Sequence, residues 1–208
     1  MQIAIVLFDG FTALDAVGPF QTLSPLPGAE TVFVAEQAGP VKDDTGNLTF
    51  VAAKSFAEVT RPDIVIVPGG PDVPTHNDVL LGWLRAVDAT TTWTTSVCTG
   101  SLLLAAAGLL KGRQATTHWL ALDAIKEFGV SPTGQRVVFD GKYVTGAGVS
   151  AGIDMGLTLA GKIAGDPFAQ GVQLMIEYDP QPPYDAGSPE KAPAEVVEKF
   201  RADTPAAS

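Results

Sequence analysis

The sequence predicts an α/β domain with helices layered on a mostly parallel sheet. Two observations carry that prediction. Short, continuous apolar runs end abruptly at turn residues, and apolar-rich segments of helical length alternate with them along the chain. A run with no polar position is what a strand buried on both faces of a parallel sheet requires.

The first such run, Ile3 to Phe8, closes at Asp9-Gly10 and leads into a helix from about Thr12 to Leu23. Thr31 to Ala35 is the second strand, and residues 39–53, broken by Asp43, Asp44 and Gly46, predict a small hairpin. Asp63 to Val67 (DIVIV) is the third core strand, stopped by Pro68-Gly69-Gly70, with a helix from Leu80 to Ala89 beyond it. Thr92 to Val97 is β-branched and strand-like, and the apolar helix from Gly100 to Leu110 has Gly108 and Gly112 as candidate stops. A hairpin turns at Asp140-Gly141, and helices follow at about Ala151 to Ala164 and Phe168 to Tyr178. After Asp179 the composition changes to PQPPYDAGSPEKAP, so residues 1–178 are expected to form the α/β domain. Residues 179–208 are expected to form a proline-rich arm with a short charged helix near Ala194 to Arg201.

A formal charge of −10 and a pI near 4.5 argue against nucleic acid or an anionic membrane as partner. The single cysteine excludes an internal disulfide, and with two histidines it makes no metal-ligand cluster. The opening MQIAIVLFDG lacks a basic leader and no apolar stretch reaches membrane-spanning length, so a cytoplasmic protein is expected.

Cys98 is the first candidate for chemistry. It ends a strand and is followed at once by Thr99-Gly100 and a helix, the mechanical logic of a nucleophile elbow, although Ser96-Val97-Cys98-Thr99-Gly100 lacks the usual first glycine. A helix N-terminus there favours the thiolate, so a lowered thiol pKa is expected. The plainer alternative is a buried structural cysteine. Asp15 lies in the apolar setting Ala13-Leu14-Asp15-Ala16-Val17, where desolvation raises a carboxyl pKa and suits it to proton transfer; the alternative is an acid complementing the helix dipole. Gly69 and Gly70 are expected to expose backbone N–H groups that, with the Thr99 amide, meet a developing negative charge; a plain loop is the alternative. His118, within Ala115-Thr116-Thr117-His118-Trp119, is a candidate to orient or deprotonate the thiol, or else a packed, hydrogen-bonded histidine. The run Gly146 to Gly152 has the wrong spacing for a dinucleotide loop, and close helix–sheet approach explains its glycines better. Asp15, Gly70 and Cys98 all fall at the carboxyl ends of strands, the edge where open α/β sheets bind ligands.

The PGG stop and the segment SVCTGSLLLAAAGLLKGRQATTHW resemble the ThiJ/PfpI superfamily, of class I glutamine-amidotransferase-like fold. Within it the likeness is greatest to the isocyanide hydratase group. Leu14-Asp15 with Gly18-Pro19, Ser96 to Ser101, Ala115 to Trp119, Gly148 to Asp154 and the proline-rich segment after Glu177-Tyr178 carry it. The resemblance implies a flavodoxin-like three-layer sandwich, a homodimer, no cofactor, and a small-molecule isocyanide as substrate. It implies Cys98 as nucleophile, Asp15 as acid/base, Thr99 as a support for both, and backbone near Gly70 lining the pocket. Thr99 stands where the peptidase branch has a histidine, and Asp15 where relatives acting on glyoxals carry a glutamate, which disfavours both of those activities. AraC-type regulators share CTG and ATTHW but continue into a basic helix-turn-helix region, in place of which this sequence has an acidic, proline-rich tail.

Overall fold

Alternating apolar side chains build the two cores of this protein, one on each face of a central sheet. The computed structural model describes residues 1–203. Its strands are β1 (Gln2–Val6), β2 (Glu30–Ala35), β3 (Gly39–Lys42), β4 (Thr49–Ala52), β5 (Lys54–Ser55), β6 (Ile64–Val67), β7 (Trp93–Val97), β8 (Gln114–Ala115), β9 (Ser131–Pro132), β10 (Val137–Asp140) and β11 (Tyr143–Gly146). Its α-helices are α1 (Ala13–Leu23), α2 (Asp78–Asp88), α3 (Gly100–Ala106), α4 (Ala151–Ala164), α5 (Asp166–Met175) and α6 (Ala194–Asp203).

The main sheet has seven strands in the order β10-β11-β7-β6-β1-β2-β5, and only β10 runs antiparallel to its neighbour. In β1 and β6, Ile3, Ile5, Ile64 and Ile66 point to the face covered by α1 and α4. Ala4, Val6, Val65 and Val67 point to the face covered by α2 and α3. These side chains are fully buried, and each of the isoleucines and valines contributes on the order of 1.5–3 kcal/mol of hydrophobic stabilisation. The result is the flavodoxin-like α/β sandwich, with a mostly parallel sheet between two helical layers.

Most of the expected elements are present with ends moved by a few residues. The helix after Cys98 stops at Ala106 rather than Leu110, because Gly108 takes φ +82°. The residues 39–53 hairpin forms a separate two-stranded ribbon, β3-β4. The two-residue strands β5, β8 and β9 have no counterpart in the sequence reading.

Small residues let α1 and α4 approach closely. Gly18 faces Ile153, Gly152 faces Pro19 and Val97, and a Cβ on Gly156 would collide with the Thr22 side chain. This contact brings the starts of both helices to the same carboxyl edge of the sheet, beside the β7–α3 junction. Among the described residues no helix is long and apolar enough to cross a membrane. Past α5 the chain runs back over the domain. Tyr178 donates from its hydroxyl to Asp154 on α4 at 3.2 Å, and Arg201 on α6 lies 5.8 Å from the Trp119 ring centre.

Candidate active site

Four adjacent strands, β11, β7, β6 and β1, end at one edge and each delivers part of a single cluster. β7 delivers Cys98 at φ +58°, a left-handed conformation that costs a non-glycine residue about 1–3 kcal/mol and is kept only when its surroundings demand it. The demand is visible. The Cys98 N–H donates to the carbonyls of Gly146 (3.0 Å) and Ala147 (2.9 Å), and its own carbonyl accepts the hydroxyls of Ser101 and Thr117, each at 3.1 Å. Gly100 must be glycine, because a Cβ there would strike the carbonyls of Val67 and Pro68.

β1 leads into α1, whose first turn holds Asp15 with no exposed surface. One carboxyl oxygen, Oδ2, accepts the Gly69 N–H at 2.9 Å. The other, Oδ1, is buried without a hydrogen-bond partner, yet the Cys98 thiol lies close enough to favour the carboxylate. Burial pushes the Asp15 carboxyl up to about 7; the Gly69 N–H and the thiol pull it down, and the charge of Asp44 adds to the rise. Burial first, and then the Asp15 charge, push the Cys98 thiol up to about 12, against the lowering influence of the Val149 N–H and of the Thr99 N–H and hydroxyl. Above about pH 7 the pair therefore holds a proton on sulfur beside a carboxylate able to receive it.

Two expectations are corrected by this geometry. The thiol pKa is not lowered: α3 is a short helix, and its N-terminal amides are outweighed by burial beside a second acid. Nor are the Gly69 and Gly70 amides free to meet a developing charge. The Gly69 N–H is spent on Asp15 and the Gly70 N–H on Thr99 Oγ1 at 2.9 Å, while the Thr99 hydroxyl donates to the Gly70 carbonyl at 2.7 Å. Both positions require glycine all the same, since a Cβ would meet Thr99 from Gly69 and the Gly10 carbonyl from Gly70.

His118 is set apart from the thiol–carboxyl pair. Its Nδ1 accepts the Leu120 N–H at 3.4 Å and burial lowers its pKa, which makes it a neutral imidazole packed on Gly148. It lines a cavity of about 450 Å³, together with Thr117, Trp119, Ala147 and Val149. Val149, at φ +31°, is a residue the sequence reading passed over. It lies in the glycine run assigned to close packing. That assignment suits Gly146 and Gly152, whereas Gly148 makes room for the His118 ring.

The fold and this cysteine–carboxyl site define the class: the chain belongs to the DJ-1/PfpI family, whose model matches residues 1–162. More particularly, it is 42% identical over 203 residues to an isonitrile hydratase of Pseudomonas putida, a match that covers 97% of this chain and 89% of that protein. A solved structure of a ThiJ/PfpI family protein from Pseudomonas syringae superposes with a TM-score of 0.92 at 40% identity, over 98% of this chain and 86% of that one. An HTH-type transcriptional regulator of Pseudomonas aeruginosa, CdhR, is 36% identical over 151 residues, which are 71% of this chain but 43% of the regulator.

Proposed function

We propose that the protein is an isonitrile (isocyanide) hydratase, converting R–N≡C and water to the N-substituted formamide, with Cys98 as nucleophile and Asp15 as proton carrier. The carrying observation is the likeness to an isonitrile hydratase along nearly the whole of both chains. The buried thiol–carboxyl pair supplies the chemistry such a reaction needs.

The isonitrile carbon accepts both a nucleophile and a proton. Asp15 takes the Cys98 proton as sulfur bonds to that carbon, then returns the proton to the same carbon, leaving R–N=CH–S–Cys98. A carboxyl near neutral pKa is matched to both directions of that transfer. Asp15 next deprotonates water as its oxygen adds to the carbon, and passes that proton to the nitrogen, leaving R–NH–CH(OH)–S–Cys98. As the C–S bond breaks, Asp15 takes the hydroxyl proton and hands it to the departing sulfur, releasing R–NH–CHO and restoring the thiol and the carboxylate. No group beyond these side chains and water enters the balance. Thr99 locks the Gly70 loop against the elbow, and His118 stands at the cavity as a binding group. The assembly we propose is a cytoplasmic homodimer, supported by large apolar side chains left uncovered on α5, Leu174 and Met175.

The test is turnover of p-nitrophenyl isocyanide to its formamide by the wild type and by Cys98→Ala, with methylglyoxal offered in parallel. Formamide from the wild type alone supports the proposal; turnover of methylglyoxal and not of the isocyanide overturns it.

A further inference from the structure

The catalytic steps use Asp15 but not the groups that hold it in place. Asp15 sits in a closed ring of hydrogen bonds. Its N–H donates to the Thr12 carbonyl at 3.0 Å, the Thr12 N–H to the Gly69 carbonyl at 2.8 Å, and the Gly69 N–H to Asp15 Oδ2 at 2.9 Å. Thr12 is the member of that ring that reaches outward. It stands at the N-cap of α1, where a threonine hydroxyl ordinarily accepts a free helix N–H, yet it makes no such cap. Its hydroxyl donates instead to Asp44 Oδ2 at 2.7 Å.

Asp44 belongs to the turn between β3 and β4, the ribbon that stands outside the main sheet. The turn holds its own shape: the buried Asp43 carboxylate accepts the Thr45 hydroxyl at 2.9 Å and the Leu48 N–H at 3.0 Å. The ribbon is also stitched to the loop after β1. The Gly10 N–H donates to the Lys42 carbonyl at 3.0 Å, the Lys42 N–H to Asp9 Oδ1 at 3.0 Å, and the Asp44 N–H to the Phe11 carbonyl at 2.9 Å. The Thr12–Asp44 bond is the last of these stitches, and it is the one that passes into the ring around Asp15.

We propose that Thr12 and Asp44 are positioning residues for the proton carrier: the β3–β4 turn braces the first turn of α1 and so sets where Asp15 stands relative to the Cys98 thiol. The inference rests on the hydratase reading for the reaction, and on geometry for the brace. The Asp44 carboxylate lies at the N-terminus of α1, where negative charge is favoured, and it adds to the proton affinity of Asp15. Among the described residues the titratable groups that act on Asp15 are Cys98, from the β7–α3 junction, and Asp44. The loop after β6 meets it through the Gly69 backbone, and α4 meets α1 through Gly152, Ile153 and Gly156.

Two measurements test this. The first is kcat and KM for p-nitrophenyl isocyanide, on the alkaline plateau, in Thr12→Val, Thr12→Ser, Asp44→Ala and the double variant Thr12→Val/Asp44→Ala. Valine keeps the shape of threonine and its backbone bonds but lacks the hydroxyl. Thr12→Val and Asp44→Ala are each expected to lower kcat by about tenfold, with KM within about twofold of the wild type. The double variant should be no slower than the slower of the two, and Thr12→Ser should restore the rate. A Thr12→Val protein with the wild-type kcat, a serine variant as slow as the valine one, or losses that multiply in the double variant overturns the brace. The second is a carbon NMR titration of the Asp15 carboxyl, assigned by its absence from Asp15→Asn, which needs no substrate. The wild-type midpoint is expected at about 7. Thr12→Val and Asp44→Ala should lower it, because a loosened turn admits water to a carboxyl whose proton affinity comes from burial, and Thr12→Ser should leave it in place. A midpoint unmoved in both Thr12→Val and Asp44→Ala overturns the brace. Failure of the wild type to turn over the isocyanide would sink the hydratase reading alone, since the titration still decides whether Thr12 and Asp44 hold Asp15.

Discussion

The Asp15 carboxyl and the Cys98 thiol, 83 positions apart in sequence by their numbers, are buried together at the ends of β1 and β7; the Asp15 charge raises the proton affinity of the thiol, while the thiol lowers that of the carboxyl. The pair thus behaves as one site with a mobile proton rather than as a thiolate with an acid nearby.

This coupling fixes the pH profile. Below about pH 7 Asp15 is protonated and cannot accept the thiol proton, so kcat/KM should rise with pH to a plateau, with an apparent pKa near 7. Asp15→Asn should lose the acidic limb together with nearly all turnover. An acidic limb retained in Asp15→Asn would assign the titration to another group.

The same shift has a cost to the fold. The folded-state pKa of Asp15, about 7, lies above its ordinary value of 3.8, so the folded protein binds the extra proton between those limits. Stability contributed by the protonated form is therefore present at low pH and is lost as pH rises through about 7. Asp15→Asn removes the charge, so at pH 8 it should stabilise the protein by on the order of 2 kcal/mol. Urea midpoints of the two proteins at pH 5 and pH 8 check this. The difference should be larger at pH 8.

The sequence made the scaffold of this site readable because its signals are local. DIVIV followed by PGG is a strand and its stop within eight residues, and Cys98 stands at the junction of a β-branched run and an apolar helix. Asp15 was conspicuous as one charge in an apolar turn. The rest depends on contacts between distant segments. Val149 matters through an N–H aimed at a sulfur fifty-one positions away, and Thr117 through a hydroxyl on the Cys98 carbonyl. The signs of the thiol shift and of the glycine amides were misjudged for the same reason. Which N–H groups are already spent, and how dry the pocket is, follow from tertiary packing. The two-residue strands β5, β8 and β9 are too short to carry a period.

Thr117 should matter without touching substrate chemistry. Its hydroxyl is one of two that hold the Cys98 carbonyl in the strained elbow. Thr117→Val removes one buried hydrogen bond, worth about 1 kcal/mol, and should slow both turnover and thiol alkylation. Thr117→Ser should restore both rates. If the serine variant is as slow as the valine variant, the loss is one of packing and not of the hydrogen bond.

Gly156 should be intolerant of even one methyl group. A Cβ there overlaps the Thr22 hydroxyl, which is itself bonded back to the Gly18 and Pro19 carbonyls at 3.1 Å each. Gly156→Ala should destabilise by about 2 kcal/mol, although alanine is the better helix former. Adding Thr22→Ala should recover part of the loss. A Gly156→Ala protein as stable as the wild type would show that α1 and α4 are not in this close contact.

The elbow itself offers a comparison free of catalysis. At most positions glycine is less stable than alanine by about 0.5–1 kcal/mol, because its unfolded chain has more freedom to lose. Position 98 sits at φ +58°, where an L side chain costs about 1–2 kcal/mol and glycine costs little. The usual order should therefore reverse, and Cys98→Gly should unfold at a higher urea concentration than Cys98→Ala. The two variants remove the same thiol and relieve the same crowding beside Asp15, so what separates them is backbone strain. The alanine variant would have to be the more stable for the positive φ of Cys98 to carry no cost, and the hydrogen bonds from Ser101 and Thr117 would then have no strain to oppose.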